Sequence, residues 1–394
     1  MKTVLLSLAL TALLVAGSAG AHTRSMSYST WQLEEDGARV ELRLKLLELT
    51  RQPPGYDWAR VLPAELLLVS GGQACRPDEA RQLRTAPEGW AVFRWDVHCD
   101  RSGPREIESR LLGGVAAAHT HLLRIDAPPN EPEADIRERV LVTHRDGPWS
   151  IDGADGKDAP SSLLSYIELG ARHIATGWDH LAFVLALLLL TTSLREVAGL
   201  VTGFTLGHSL TLGLAVLGVV RPDTVTVEVL IGFSIALVAA ENSWWLGGCD
   251  RVTPAAIGLS LLAAALLALL GLGEMGSLAW LGLALFSVCH FGLMREAKRP
   301  AMLRASIAFA FGLVHGFGFA GILMELQLPA TRLLVALFGF NLGVELGQLG
   351  VVFLAWPLLY GLSRASAGNH RRVAEVGSAA IFGLGLFWLV SRNF

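Results

Sequence analysis

Charged side chains are scarce in this sequence of 394 residues, where Asp, Glu, Lys and Arg together make up 17%. Apolar residues make up 52% and the mean hydropathy is +0.46, unlike a soluble enzyme of this length. No segment combines a basic patch with interleaved aromatic residues, which excludes nucleic acid as an expected partner. The composition instead predicts that the lipid bilayer is the main partner.

Cysteine is also rare, with four in the chain. Cys249 and Cys289 fall in apolar runs without a partner pattern, which favours small buried side chains. Cys75 and Cys99 fall in the N-terminal third, and the spacing alone leaves open whether they form a disulfide. The lack of a thiolate cluster argues against a site for a soft metal.

The first 21 residues have the pattern of a signal peptide. Lys2 supplies the positive charge, Val4–Val15 the apolar stretch, and Ala19-Gly-Ala21 a small-x-small cleavage site. We therefore predict that residues 1–21 are removed and that residues 22–158 lie outside the cytoplasm. An uncleaved membrane anchor is the alternative.

Residues 22–158 have the pattern of a small β-rich, sandwich-like domain. Arg39–Leu46 alternates apolar and polar residues, which is the period of a half-buried strand. His119 and His121 would share one face of a strand, and we expect them at the surface, with weak metal binding as an alternative. The polar linker Asp152–Asp158 marks the boundary. Further strands are predicted at Glu65–Ser70, Trp90–His98, Leu122–Ile125 and Arg139–Thr143.

Residues 159–394 are dominated by apolar runs, so we predict a mostly α polytopic membrane domain. About eight runs approach the roughly 20 residues that a helix needs to cross a bilayer. Ser161 and Ser162 would cap a short helix, Leu163–His173, lying on the outer surface before the first span. The predicted spans are 176–192, 195–219, 225–246, 254–272, 276–294, 304–325, 331–361 and 373–391.

The distribution of basic residues predicts an orientation. Nine of them fall in the loops that would be cytoplasmic and three in the outer loops beyond the first span, as the positive-inside rule requires. This agrees with an exported N-terminal domain and predicts the bacterial inner membrane as the location. The nine are Arg195, Arg251, Arg295, Lys298, Arg299, Arg304, Arg364, Arg371 and Arg372, and the three are Arg221, Arg332 and Arg392.

An internal repeat relates two parts of this domain. Phe204-Thr-Leu-Gly-His208 matches Phe311-Gly-Leu-Val-His315, and Gly232-Phe-Ser-Ile-Ala236 matches Gly339-Phe-Asn-Leu-Gly343. The two motifs lie the same 24 positions apart in both copies, measured from histidine to glycine. Related spans lie four apart, so the repeat is parallel, an arrangement that some transporters use to bind substrate between halves.

Ionisable residues inside these spans point to a cation. Each costs about 2.5–3.5 kcal/mol on insertion scales, so such residues mark function by default. Imidazole with carboxylate suits Ni²⁺, Co²⁺, Zn²⁺ or Cu²⁺, and we expect this cation as cargo with no permanently bound cofactor. The predicted ligands are His173, Asp179, His180, His208, His315, Glu241, Asn341 and Glu345.

Spacing decides which of these residues can cooperate. Asn341, Glu345 and Gln348 follow the i, i+4, i+7 spacing of one helix face. A straight helix would separate His173 and His180 by about 10.5 Å along its axis, too far for ligands of one ion. Either Gly177 breaks the helix, or the two histidines are separate stations on an entry path.

His173-Ile-Ala-Thr-Gly-Trp-Asp-His180 resembles the His-Pro-x-x-Gly-x-Asp-His signature of the HupE/UreJ family, with Ile174 in place of proline. Phe311–Gly316 and Gly339–Glu345 strengthen the resemblance, which covers about residues 160–394. It implies a nickel/cobalt permease-like protein tied to hydrogenase and urease maturation. It also implies that His173, Asp179 and His180 contact the metal.

Two other function classes stay open. The intramembrane His, Asp and Ser residues could hold a catalytic Zn²⁺ with an open water position, as in a membrane hydrolase. Gly207-His-Ser209 lacks the Gly-x-Ser-x-Gly nucleophile pattern, so a serine mechanism is disfavoured. Alternatively, the exported domain binds a periplasmic protein partner and the spans anchor it, although eight spans exceed what an anchor needs. We expect a transporter rather than an enzyme.

Overall fold

In the computed structural model, the chain has two compact units, one formed by His22–Ser162 and one that contains Leu163–Phe394. The predicted signal peptide, its cleavage site and the linker 152–158 lie outside the residues that the structure describes. Those are residues 26–50, 55–86, 89–112, 119–126, 137–142, 147–151, 163–191, 193–325 and 330–394.

The N-terminal unit contains two sheets. The larger has the order β10-β9-β1-β2-β7-β5, with β6 also paired to β7, and the smaller has the order β11-β8-β3-β4. Neighbours are antiparallel except β1 and β9, which are parallel. The elements are β1 Met26–Glu34, β2 Gly37–Lys45, α1 Leu46–Thr50, α2 Trp58–Glu65, β3 Leu66–Ser70, β4 Gln73–Ala74, β5 Arg76–Pro77, β6 Arg81–Gln82, β7 Trp90–His98, β8 Arg105–Ser109, β9 Thr120–Asp126, β10 Arg137–Val142 and β11 Trp149–Ser150.

The core of this unit lies between the two sheets, which confirms the sandwich-like prediction. Trp31 and Leu42 from the larger sheet pack with Leu68 and Ile107 from the smaller one, and all are at most 1% exposed. The five predicted strands are present as β2, β3, β7, β9 and β10. Cys75 and Cys99 form a disulfide, which resolves the question that spacing left open.

The prediction that His119 and His121 lie at the surface is wrong, because both side chains are fully buried. The parallel pairing of β1 with β9 places Ser27 opposite His121, on the face that carries Trp31 into the core. The Ser27 hydroxyl lies 2.7 Å from His119 Nε2 and 2.6 Å from His121 Nδ1. Ser29 Oγ lies 2.8 Å from His121 Nε2. Both His121 nitrogens therefore bond to serine hydroxyls, which disfavours a metal there.

The second unit is helical. Its elements are α3 Leu163–Thr176, α4 Trp178–Leu188, α5 Leu194–Val216, α6 Thr224–Leu246, α7 Val252–Leu269, α8 Ser277–Glu296, α9 Pro300–Glu325, α10 Ala330–Ala365 and α11 Ala367–Ser391. Within the described residues, α5 to α11 are seven helices long and apolar enough to cross a membrane, and α4 is a shorter apolar helix. These eight correspond to the predicted spans, including the short first one and the long seventh one.

Helix α3 begins at Leu163, as the sequence predicted, and ends at Thr176, three residues later than predicted. It packs lengthwise along α10, because Gly339, Gly343 and Gly347 let the two backbones approach. A Cβ on Gly343 would collide with the Ile167 carbonyl oxygen, and one on Gly347 would lie 2.9 Å from Ile174 Cβ. Helix α3 therefore packs within the helical unit directly before α4, the shorter apolar helix.

Glycine contacts also bring the two copies of the repeated motif together. A Cβ on Gly207 of α5 would collide with the Phe309 carbonyl oxygen of α9, and one on Gly312 would collide with the Phe204 carbonyl oxygen. Backbone contact without intervening side chains is typical of membrane helices that cross at small residues. It places both repeat histidines at the α5–α9 crossing, where a Cβ on Gly316, the neighbour of His315, would collide with the His208 carbonyl oxygen.

The glycines of α10 provide a stability test with an internal control. Gly343→Ala must push α3 away, an overpacking cost of about 1–3 kcal/mol, and should lower the Tm of the purified protein by about 5 °C. Gly350→Ala, in the same helix, adds a Cβ with nothing within 4 Å. It should leave the Tm unchanged or raise it, since alanine favours helix over glycine. Equal Tm values for the two variants would contradict the packing described.

The buried histidines make the N-terminal unit sensitive to acid. Burial, and then the nearby His119, lower the pKa of His121 to about 3. The unfolded chain takes up a proton near pH 6.5 that the folded unit does not, so stability falls as pH drops below that value. Between pH 7 and pH 5 the loss is about 2 kcal/mol. The free energy of unfolding is measured at both pH values by urea unfolding, with the protease protection of peptides from β1 and β9 as the readout.

His121→Gln removes the titrating group and should flatten this pH dependence. His98→Gln is the matched control, because the His98 side chain in β7 is 65% exposed. It should keep the wild-type pH dependence. A wild-type pH dependence in His121→Gln would show that another group is responsible.

Candidate functional site

The chain turns at Gly177, between α3 and α4. Helix α3 ends at Thr176 and α4 begins at Trp178, and Gly177 between them has φ −83° and ψ 93°. A Cβ on Gly177 would lie 2.7 Å from the His173 carbonyl oxygen, so the close turn requires glycine. The turn brings the His173 and His180 ring centroids to 4.6 Å. Of the two alternatives for this pair, the broken helix is confirmed.

Four histidines gather at this break. The His208 ring centroid on α5 lies 6.4 Å from that of His173 and 6.0 Å from that of His180. The His315 centroid on α9 lies 5.2 Å from that of His180. His208 and His315 are fully buried, and His173 and His180 are 8% and 3% exposed. The structure thus unites the family-motif histidines with the two repeat histidines.

Phenylalanine rings enclose this histidine cluster. Phe204 lies 5.1 Å from His315, and Phe340 of α10 lies 5.4 Å from His173, measured between ring centroids. Phe183 of α4 also lies 5.1 Å from His315. Such a shell lowers the local dielectric and keeps bulk water away from the imidazoles. The sequence analysis did not identify these residues as part of the site, because phenylalanine is common in most of the spans.

Asp179 fixes the proton position on His180. Its Oδ1 lies 2.9 Å from His180 Nδ1, and it also accepts a hydrogen bond from the His180 backbone N–H at 2.9 Å. Because an ionised carboxylate only accepts, Nδ1 carries the hydrogen and Nε2 carries the lone pair. Nε2 is buried and has no hydrogen-bond partner among the described residues. Asp179 therefore holds the His180 hydrogen on Nδ1 and leaves the lone pair on a buried Nε2.

Ser234 does the same for His315. The Ser234 hydroxyl donates to the Ile231 carbonyl at 2.7 Å, so it can only accept from His315 Nε2, 2.9 Å away. The His315 hydrogen is thus on Nε2, and the lone pair is on Nδ1. Nδ1 is buried without a hydrogen-bond partner in the described part of the chain. In the repeat, Ser234 is equivalent to the predicted ligand Asn341. This equivalence is the sequence signal that could have identified Ser234 as part of the site.

His208 contributes two buried nitrogens, and neither has a hydrogen-bond partner within the residues described. One of them must carry a hydrogen, and an unsatisfied buried donor costs about 1–3 kcal/mol. Such an unsatisfied group is retained in a protein where a ligand or a function offsets its cost. Among the described residues, no three His, Cys, Asp or Glu side chains converge as the finished ligand set of one ion. The imidazoles of the cluster lie near one another, but in the described residues they do not have the arrangement of a finished metal site.

Glu241 is bonded to other residues than the four histidines, and its part as a cation ligand stays a prediction. Its carboxylate forms an ion pair with Arg304 at 3.2 Å and a 2.8 Å bond with His290 Nε2. Arg304 was expected in a cytoplasmic loop, but it lies in the first turns of α9 and is 7% exposed. An arginine at this depth needs a carboxylate, and Glu241 supplies it.

The three polar residues that were predicted to share one face of α10 differ in burial and in their hydrogen bonds. Gln348 is fully buried, and its Oε1 accepts from Thr205 Oγ1 of α5 at 3.0 Å. Asn341 donates to the Leu337 carbonyl at 2.8 Å, and Glu345 is partly exposed. Asn341 and Glu345 lie on α10 shortly after Phe340, whose ring is near His173. Their part as ligands stays a prediction.

Helices that can span a bilayer, together with a buried group of imidazoles, define a polytopic membrane protein with an intramembrane polar site. A family model described as "HupE / UreJ protein" matches residues 154–284 and 249–392, which together cover more than half of the chain. The chain therefore belongs to the HupE/UreJ family. No curated protein and no solved structure matches it.

Proposed function

We propose that this protein carries a divalent transition-metal cation across the bacterial inner membrane through the histidine cluster. The observation that supports this most is the pair of fixed lone pairs. His180 Nε2 and His315 Nδ1 are buried and unbonded within the described residues, and Asp179 and Ser234 hold the hydrogens on the opposite nitrogens. Such partners behind the ligands are typical of metal-binding histidines.

The ring spacing fits one shared ion. With metal–nitrogen bonds of about 2.0–2.1 Å, tetrahedral imidazoles have ring centroids about 5 Å apart. The ring centroids of His173, His315 and His208 lie 4.6, 5.2 and 6.0 Å from that of His180. Rotation of the rings and small shifts of the helices would align the lone pairs. A site that must adjust to its ion also releases it readily, as cargo transport requires.

Imidazole ligands favour Ni²⁺, Co²⁺, Zn²⁺ or Cu²⁺ over hard cations such as Mg²⁺. Family membership adds weight to nickel or cobalt within this set. The charge bias of the loops supports an N-terminal unit outside the cytoplasm, and the buried Arg304 reduces the inner count from nine to eight without reversing it. The cation would then meet α3 and the cluster from the outer side.

Uptake into proteoliposomes tests this proposal. His180→Ala and His208→Ala should lower the initial rate of cation entry about 100-fold, since each removes a direct ligand, whereas Asp179→Asn should lower it about tenfold or more by loosening His180. Ni²⁺, Co²⁺, Zn²⁺ and Cu²⁺ are assayed separately with an internal metal indicator. His370→Ala is the control, a partly exposed histidine of α11. Wild-type rates in all three site variants would contradict the proposal.

Ser234→Ala tests the role of the hydroxyl behind His315. It removes the acceptor that fixes His315, and cation affinity measured by calorimetry should fall about 10–100-fold. Ser287→Ala is the matched control, because Ser287 is equally buried and bonds back to its own helix through the Leu283 carbonyl. Alanine favours helix in both variants, so both should fold. Equal affinities would mean that Ser234 does not position His315.

A further inference from the structure

An arginine lies where α6 and α11 meet, near the histidine cluster. Arg392 directly follows α11, and its side chain is 19% exposed. Its Nη1 donates to the Glu228 carbonyl oxygen at 3.1 Å, and its Nε lies 3.9 Å from Glu228 Oε2. The guanidinium carbon also lies 5.4 Å from the Trp388 ring centroid. These contacts hold the positive charge at the junction of the two helices.

The packing of α11 against α4 brings this junction close to Asp179. A Cβ on Gly377 of α11 would lie 3.3 Å from the Leu189 side chain, just after α4. Asp179 lies ten residues before Leu189, and Trp388 lies eleven residues after Gly377. Because α4 and α11 correspond to the first and eighth predicted spans, they run in opposite directions. Nearly equal lengths of helix therefore lead from this contact to Asp179 and to Trp388.

Helix α6 links the same junction to His315. A Cβ on Gly232 of α6 would lie 2.6 Å from the Leu389 backbone nitrogen, so α6 and α11 touch here. Ser234, whose hydroxyl accepts from His315, lies six residues after Glu228. Six residues of helix span about 9 Å. The guanidinium at Glu228 is therefore about two helical turns from the serine that fixes His315.

The charge of Arg392 acts on the site. The charged groups that interact with Asp179 are His180, His315 and Arg392, and Arg392 also interacts with His315. The carboxylate of Glu228 offsets this charge only in part. Its side chain is 40% exposed, against 19% for Arg392, so water and salt screen it more. A net positive field from the junction therefore faces the cluster.

The packing of α6 and α11 does not depend on this charge. Gly232 and Gly385 let the two backbones touch, since a Cβ on Gly385 would lie 2.6 Å from the Ala236 nitrogen. A partly exposed ion pair at 3.9 Å contributes little to stability. An uncharged side chain with an N–H group can donate the bond to the Glu228 carbonyl as well. The positive charge itself is thus the feature to explain.

We propose that Arg392 weakens cation binding in the histidine cluster and thereby speeds release of the cation. This inference rests on the proposed transport function. Several imidazoles beside a carboxylate bind late first-row divalent cations strongly, whereas cargo must leave. A fixed like charge raises the free energy of the bound cation without removing any ligand. Arginine keeps its charge throughout the physiological pH range, so the effect is constant. Positive side chains oppose cations in the same way in some membrane pores.

The test changes the charge at position 392 in the full-length protein. Calorimetry with Ni²⁺ or Co²⁺, each used alone, should show about tenfold tighter binding in Arg392→Gln, the effect of one unit charge on a divalent cation about 10 Å away in a partly hydrated setting. Arg392→Glu, which reverses the charge, should bind about 100-fold more tightly. Arg392→Lys should bind as the wild type does.

Release is tested in proteoliposomes with an internal metal indicator. The maximum rate of cation entry should fall about tenfold in Arg392→Gln, because the more tightly bound cation leaves more slowly. Tighter binding with slower transport is not what loss of a structural contact predicts. Arg221→Gln is the matched control, because it removes the same charge from an exposed residue of the same predicted outer side. It should keep the wild-type affinity and rate.

The outcomes separate this inference from the transport function. Wild-type or weaker cation binding in folded Arg392→Gln overturns the inference, and so does tighter binding with a wild-type maximum rate. Both results leave the transport function standing. Absence of cation entry in the wild type overturns the transport function, and the inference falls with it. If Arg392→Gln does not fold, Arg392→Met decides, since it is also neutral and keeps an unbranched side chain beside Trp388.

Discussion

The break at Gly177 is the constraint on which the rest of the site depends. A straight helix would keep His173 and His180 about 10 Å apart, whereas the break brings their ring centroids to 4.6 Å. A short helix inside a membrane has unpaired backbone groups at its ends, and these need hydrogen-bond partners. At the far end of α4, Asn242 donates to the Ala186 carbonyl at 2.7 Å, and Arg304 lies beside the Leu187 carbonyl. The short helix is therefore held at its end by the neighbouring helices.

The repeat explains why two further histidines reach the break. His208 and His315 hold equivalent places in the two motifs, and the glycines of α5 and α9 let their backbones touch. The two repeat copies then differ in what they supply. His315 is fixed by Ser234, whereas both nitrogens of His208 are unbonded among the described residues. The two histidines are equivalent in the repeat, but they differ in their hydrogen bonds.

Much of the fold was predictable from the sequence, because apolar run length and strand alternation are local properties. The eight spans and the five strands follow from them. Non-local pairing was not predictable: the parallel β1–β9 contact buries His119 and His121, and the lengthwise packing of α3 on α10 places α3 in the bundle. Within the site, the four histidines were named from the sequence. The ion pair of Glu241 with Arg304 was not predicted, because Arg304 was counted as a loop residue.

The break also shows why a carboxylate belongs beside His180. The C-terminal end of α3 has a partial negative charge, which favours a cation, but the N-terminal end of α4 has a partial positive charge, which opposes one. Asp179 lies in the first turn of α4, where its charge offsets that positive end. Its bond to His180 Nδ1 also directs the ring's lone pair away from the carboxylate. In the proposed transport function, one residue would thus both make the helix start tolerable for a cation and orient a ligand, so its loss should affect cation binding in two ways.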